Sequence, residues 1–239
     1  MALENVESDS LNDLGASINA KLQALTPLIP EGVRLVAVTK TFQASIVRAA
    51  YQLGIRDFGE NKVQESVEKQ SKLRDLTDVT WHFIGHVQSN KSRKVLEHFD
   101  WIHSVDSLKL ANRLDRQAAE LNKLPKVCLQ VKLMPDPSKD GFELETLKIA
   151  LPDLDRLTNL DICGLMVIPP YGLDTAQTKE IFERAEALRA DLQRQSWQNL
   201  RMDELSMGMS GDFEWAIACG ATMVRIGSGL FGSRTASTH

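Results

Sequence analysis

Three stretches of the sequence combine side chains that can do chemistry with backbone that can close on a ligand. Lys40 ends the apolar run Val36-Ala37-Val38-Thr39. A lysine at the end of a buried strand either snorkels its amine to solvent or uses it, and a desolvated amine with a depressed pKa attacks carbonyl carbon. The segments Gly208-Met209-Ser210-Gly211-Asp212 and Arg225-Ile226-Gly227-Ser228-Gly229 each follow a further apolar run. Glycine lets backbone N–H groups approach an anion, serine adds a hydroxyl donor, and a following helix start adds its dipole. Either cluster alone is equally well explained by a tight strand-to-helix turn. Together, after the last two strands, they favour a phosphate cup. A lysine across from such a cup describes a site for a phosphorylated aldehyde or ketone held as a Schiff base. Arg225, two residues before Gly227, either meets the rest of that ligand or closes a salt bridge with Asp212 or Glu214.

These residues need a scaffold that gathers distant strand ends. Short apolar, β-branched runs recur at Val33–Val38, Ile55–Gly59, Thr80–Gly85, Trp101–Val105, Val127–Leu133, Asp161–Ile168, Glu204–Met207 and Thr222–Ile226. Segments with helical spacing separate them, such as Leu108, Ala111, Leu114, Ala118 and Leu121, or Ile181, Ala185, Leu188 and Leu192. Alternating strands and helices make a parallel α/β fold, and eight such units predict a single (β/α)8 TIM barrel over residues 1–239. The alternative, an open doubly wound sheet, calls for a glycine-rich first turn, whereas the first strand here runs into Thr39-Lys40-Thr41-Phe42. An extra amphipathic helix precedes the first strand, with Ile18, Leu22 and Leu25 on one face, and stops before Pro27 and Pro30. It is expected to cover the outside or one end of the barrel.

Barrel sites lie at the C-terminal ends of the strands. Besides Lys40 and the glycine clusters, those ends carry Glu60 and Asn61, then His86, Gln88 and Asn90, then Asp106, and later Pro169-Pro170-Tyr171. His82 and His103 fall inside strands and read as hydrogen-bonded structural residues, while His86 stays open between a structural and a functional role. No group of histidines and carboxylates has metal-motif spacing, so no metal is expected.

Composition excludes several classes of function. Hydrophobic residues make up 43% of the 239 and charged residues 25%, as in an ordinary globular protein. A formal net charge of −4 with scattered Lys and Arg lacks the concentrated basic footprint that nucleic acid requires. No apolar run reaches the roughly 20 residues of a membrane span, and the acidic start, Met1 to Asp13, is not a signal peptide. A cytoplasmic protein is expected. Cys128, Cys163 and Cys219 are unpaired in spacing and sit in apolar runs, the pattern of buried spectator thiols.

Several motifs together carry a family likeness. Val36-Ala37-Val38-Thr39-Lys40, Phe58-Gly59-Glu60-Asn61-Lys62-Val63-Gln64-Glu65 and Trp81-His82-Phe83-Ile84-Gly85-His86-Val87-Gln88-Ser89-Asn90-Lys91 resemble the pyridoxal-phosphate homeostasis protein family. So do Gly164-Leu165-Met166, Leu205-Ser206-Met207-Gly208-Met209-Ser210-Gly211-Asp212-Phe213 and Val224-Arg225-Ile226-Gly227 through Phe231-Gly232. They run in family order from residue 36 to 234. The resemblance implies a fold type III barrel like the alanine racemase N-terminal domain, with pyridoxal 5′-phosphate (PLP) as a covalent aldimine on Lys40. It also implies that Arg225 faces the pyridine nitrogen, Asn61 and Met166 belong to the cofactor site, and Ser210, Gly211, Gly227 and Ser228 hold the phosphate. Lys62 and Ile168-Pro169 depart from the usual family residues and could alter the mouth of the site.

The same resemblance separates the chain from the racemases, which append a β-rich second domain. Few residues follow Phe231-Gly232, so no such domain is expected here. An arginine at the pyridine nitrogen also disfavours the protonated ring and weakens the electron sink. The expected role is a monomeric PLP carrier in vitamin B6 and amino- and keto-acid homeostasis, with PLP-dependent apoenzymes or a regulatory protein as partners, not a fast enzyme. The alternatives are a slow PLP-dependent racemase and a Schiff-base aldolase.

Overall fold

The computed structural model describes residues 2–232, with side chains described from Leu14 onward. Its first half runs α1 (Ala2–Leu25), β1 (Arg34–Val38), α2 (Ala44–Gln52), β2 (Asp57–Glu60), α3 (Val63–Ser71), β3 (Thr80–Phe83), α4 (Ser92–His98), β4 (Trp101–Val105) and α5 (Leu108–Leu121). The second half runs β5 (Lys126–Lys132), β6 (Phe142–Glu143), α6 (Leu144–Leu154), β7 (Asp161–Met166), α7 (Thr175–Gln193), β8 (Glu204–Met209), α8 (Phe213–Ala218), β9 (Met223–Ile226) and α9 (Ser228–Phe231). Eight parallel strands close on themselves: β1 pairs with β2 on one side and β9 on the other, and β4 pairs with β5. This is the (β/α)8 barrel that the alternation predicts.

The apolar runs become strands because both faces of a parallel barrel strand are covered. On β4, β5, β7 and β9 the buried side chains divide between two clusters. Trp101, Cys128, Cys163, Met166 and Met223 form one. Their neighbours Ile102, Val127, Leu129, Leu165 and Val224 join the layer between strands and helices. Helix ends are marked by local chemistry. Ser107 accepts the Leu110 N–H at the start of α5, and Asp174 and Gln177 form a reciprocal capping box at the start of α7.

Three details differ from expectation. The short strand β6 has no counterpart in the sequence pattern; it pairs outside the ring with Val131 and Lys132 of β5. Two residues are too few to show a period. Strand β7 ends at Met166, so Val167 and Ile168 belong to the loop. Cys128 and Cys163 are buried, but Cys219 caps α8 and is only half-buried, so it is not a core thiol.

The additional helix α1 buries Ile18 and Leu25 and partly buries Leu22, and it packs against α2 and α9, at the seam where the first and last units meet. It ends where Pro27 opens a 3₁₀ turn, Thr26–Leu28. Among the described residues, no helix is long and apolar enough to cross a membrane.

Candidate functional site

The C-terminal ends of the strands surround a cavity of about 570 Å³. Lys40, Ser210, Gly211, Arg225, Gly227 and Ser228 all line it, although they come from opposite ends of the chain. β1 and β9 are hydrogen-bonded neighbours and β8 pairs with β9, so three adjacent strand ends deliver the set. Val38, Phe42, Ile84, Ile168 and Met209 supply an apolar lining, giving a mostly apolar pocket with a few directed polar groups. Asn61 is not among the lining residues. It borders a smaller pocket of about 280 Å³ with Lys62, His86 and Gln88, and its Oδ1 is buried without a hydrogen-bond partner. Met166 is fully buried in the barrel interior, in the cluster against which Ile168 packs.

Lys40 is exposed at the cavity rim, not enclosed in apolar surroundings. Its backbone, by contrast, is held on both sides. Thr39 Oγ1 donates to Glu60 Oε1 at 2.6 Å, and Lys69 Nζ donates to the Thr39 carbonyl at 2.7 Å and to Glu60 Oε1 at 2.6 Å. Thr41, with a left-handed φ of 69°, donates its N–H to Glu65 Oε1 at 2.6 Å. A β-branched residue adopts that backbone only when its surroundings impose it. Glu60 and Lys69 are both buried. Burial raises the Glu60 pKa, against the lowering effect of the Lys69 charge and hydrogen bond and the Thr39 hydroxyl.

The loop after β8 is shaped by two residues. Gly208 has φ +89°, and a Cβ there would lie 2.6 Å from the Ala216 Cβ, so only glycine fits. Asp212 turns its carboxylate back to accept the Met209 N–H at 2.6 Å. Between them, Ser210 Oγ accepts the N–H groups of Gly227 at 3.3 Å and Gly229 at 3.0 Å, tying the two glycine clusters together.

Arg225 is buried beneath this loop. Its Nη1 donates to Ser206 Oγ at 2.6 Å and its Nη2 to the Val167 carbonyl at 3.1 Å. The salt bridge to Asp212 or Glu214 that the sequence also allowed does not form; Asp212 acts on it only through space. Burial pulls the Arg225 pKa down to about 10, offset in part by the Asp212 charge, so the guanidinium stays cationic at neutral pH.

His82 and His103 are fully buried and hydrogen-bonded to each other, as their in-strand positions suggest. His86 stands apart: its Nδ1 lies 2.9 Å from Asp140 and 3.3 Å from Asp106, and single donor atoms of the three residues fall within 4.8 Å of one another. The barrel's strand order creates that grouping, which no linear spacing could reveal. Phe42, Ile84 and Met209 line the cavity without being marked as lining in the sequence, because apolar residues at strand ends carry no sign that separates lining from core. A cleft of about 540 Å³ at the opposite end, lined by Arg34, Asp100, Trp101 and Lys126, lies at the N-terminal ends of the strands, where barrels do not place their sites.

Gly85 sets the spacing of this face. A Cβ on it would lie 2.2 Å from the Asn61 carbonyl oxygen, which belongs to backbone and cannot swing away. Gly85→Ala is expected to lower stability by about 3 kcal/mol, the upper part of the overpacking range, as read by urea denaturation.

Comparisons with known proteins agree with this architecture. A sequence model of the alanine racemase N-terminal domain family matches residues 15–235. A pyridoxal phosphate homeostasis protein of Synechocystis is 52% identical over 206 residues, covering 86% of this chain and 94% of the relative. That of Escherichia coli is 43% identical over 208 residues, covering 86% and 87%. The solved structure of PipY from Synechococcus elongatus with PLP bound is 52% identical, with a TM-score of 0.86 over 90% of this chain and all of the other. Alanine racemase of Clostridium difficile shares the fold, with a TM-score of 0.75 at 14% identity over 93% of this chain and 58% of its own. The chain therefore belongs to the pyridoxal phosphate homeostasis protein family, on the barrel of the alanine racemase N-terminal domain.

Proposed function

We propose that the protein binds PLP in the cavity at the barrel mouth, with the aldehyde held as a Schiff base on Lys40, and serves as a carrier that keeps the cofactor available without robust turnover of its own. The observation that carries this reading is the meeting of an amine, a buried arginine with no carboxylate in ion-pair range among the described residues, and a serine–glycine cup around one cavity of about 570 Å³. PLP presents an aldehyde, an aromatic nitrogen and a phosphate dianion, one for each group. The PLP-bound structure of the 52%-identical PipY supports the same assignment.

The chain's own residues divide the work. Ser210 and Ser228, with the backbone at Gly211, bind the phosphate, and Gly227, whose N–H donates to Ser210 Oγ, holds that hydroxyl in place. Arg225, cationic at neutral pH, is a donor and not a proton source toward the pyridine nitrogen. Asn61 follows Glu60 at the end of β2 and borders the smaller pocket, outside the cavity lining, and Met166 supports Ile168 from within the barrel. When bound, PLP supplies an electrophilic carbonyl and an electron sink, and a cationic neighbour at the ring nitrogen weakens the sink. Storage and exchange with free amines or PLP-dependent apoenzymes in the cytoplasm, by a monomer, is the role that fits.

The test is the absorption spectrum of the purified protein with PLP, before and after borohydride, followed by peptide mass spectrometry. A visible band that borohydride removes, leaving a reduced adduct on Lys40, is the expected result. A protein that stays colourless after reconstitution, or an adduct on another lysine, overturns the assignment. Ser210→Ala and Ser228→Ala are each expected to weaken PLP retention by about 1–3 kcal/mol, the scale of a hydrogen bond to a charged group, measured by equilibrium dialysis.

A further inference from the structure

The interior of the barrel holds a chain of polar groups that PLP binding alone does not use. Asp57 Oδ1 lies 2.9 Å from His82 Nε2, His82 Nδ1 lies 2.9 Å from His103 Nε2, and His103 Nδ1 lies 2.8 Å from Ser206 Oγ. Ser206 Oγ in turn lies 2.6 Å from Arg225 Nη1. Asp57 opens β2 at the N-terminal end of the barrel, and Arg225 lines the cavity at the other end. We propose that Asp57, His82, His103 and Ser206 form a one-way hydrogen-bond relay that positions the Arg225 guanidinium at the cofactor cavity. The proposal rests on the reading that Arg225 meets PLP.

The direction of the relay follows from its two ends. A guanidinium can only donate, so Ser206 Oγ accepts from Arg225 and keeps its own proton available for His103 Nδ1. A carboxylate can only accept, so His82 Nε2 must carry a proton toward Asp57. With each ring neutral, the link between them has one solution: His103 Nε2–H donates to His82 Nδ1. The carboxylate imposes the order, the serine hydroxyl completes it by donating to the bare His103 Nδ1, and every ring nitrogen finds a partner. In the reverse order, the bare His82 Nε2 would face the carboxylate, acceptor against acceptor.

The surroundings favour the neutral rings. Burial lowers the pKa of His82, against the raising effect of the Asp57 hydrogen bond and charge, and lowers that of His103 well below the usual value. Besides His82, Asp57 is faced by Arg34, which donates to the same Oδ1 at 2.8 Å. Ser206 is thereby a committed acceptor that, with the Val167 carbonyl, fixes both terminal nitrogens of the guanidinium.

Two measurements test this. In the protein without PLP, nitrogen-15 NMR of the histidines is expected to show both His82 and His103 neutral, protonated at Nε2 and bare at Nδ1. The opposite tautomer on either ring overturns the relay. In the second, PLP dissociation constants are compared on the Arg225 and Arg225→Ala backgrounds, with thermal melts to confirm folding. Ser206→Ala is expected to weaken binding about tenfold and the isosteric Asp57→Asn about threefold, with Ser206→Thr restoring the loss. Both effects should vanish on Arg225→Ala. Effects of equal size on both backgrounds, or no effect on either, overturn the proposal. If the unaltered protein fails to bind PLP, the cofactor reading falls on its own, and the histidine tautomers still judge the relay.

Discussion

Lys40→Ala is expected to leave a protein that gives no visible band with PLP and no borohydride-stable adduct, with a small, freely exchanging fraction of cofactor retained by the proposed phosphate cup. Lys40 is the one lysine among the described residues that line the cavity, and Arg225 is committed to Ser206 and Val167. Among the described residues, no second lysine lines the cavity to take over the aldehyde. The fold should be indifferent: Lys40 is exposed, and substitutions at such positions usually stay within about 0.5 kcal/mol. Difference spectroscopy with and without borohydride, beside a urea melt, separates these effects. A spectrum like that of the unaltered protein would falsify the role of Lys40; a variant that loses both binding and stability would mean that the lysine is structural.

The second large effect lies one layer below. Lys69→Met is expected to cost about 3–5 kcal/mol, the penalty for removing one partner of a buried ion pair and leaving the other charge alone. Glu60 is then left without the cation that offsets its desolvation, and its Oε2 already has no hydrogen-bond partner. Burial already raises the Glu60 pKa, and the loss of Lys69 raises it further. The sign follows. The folded variant holds a proton on Glu60 that the unfolded chain has released, so its stability falls as pH rises through the shifted value. Urea denaturation should show a larger deficit against the unaltered protein at pH 8 than at pH 5.5. Adding Glu60→Gln should restore most of the loss, because the uncompensated charge is gone. The single variant should also form less Lys40 adduct, since the Thr39 carbonyl loses its partner. Equal deficits at both pH values would remove Glu60 from the explanation.

Much of this architecture is legible in the chain because parallel barrel strands are buried on both faces and announce themselves as apolar runs. All eight ring strands are expected from the sequence, with Trp101–Val105 at the same bounds and the others within about two residues. Lys40 and the two glycine–serine clusters stand out for a related reason: they interrupt apolar runs at the end where barrels place their sites. What stays hidden depends on pairing across the ring. Lys69 sits in α3, a helix whose pattern gives no sign that this lysine turns inward to Glu60. His82 and His103 are readable as structural residues, but their direct contact depends on the register of β3 against β4. Asn61 and Met166 follow from motif resemblance, and geometry sets one beside a smaller pocket and the other inside the barrel.

The closure of the ring has a consequence for timing. Lys40 follows the first strand, and Gly227 and Ser228 follow the last, so the amine and the cup are nearly a whole chain apart. At translation rates of about 5–20 residues per second, roughly ten to forty seconds separate the synthesis of one from the other. Through that interval β1 waits for β9 with one edge unpaired, the exposed condition in which parallel sheets are slowest to fold and most open to chaperones. A nascent chain therefore carries the amine without the pocket, and pairing of the final strand is the event that completes the cavity.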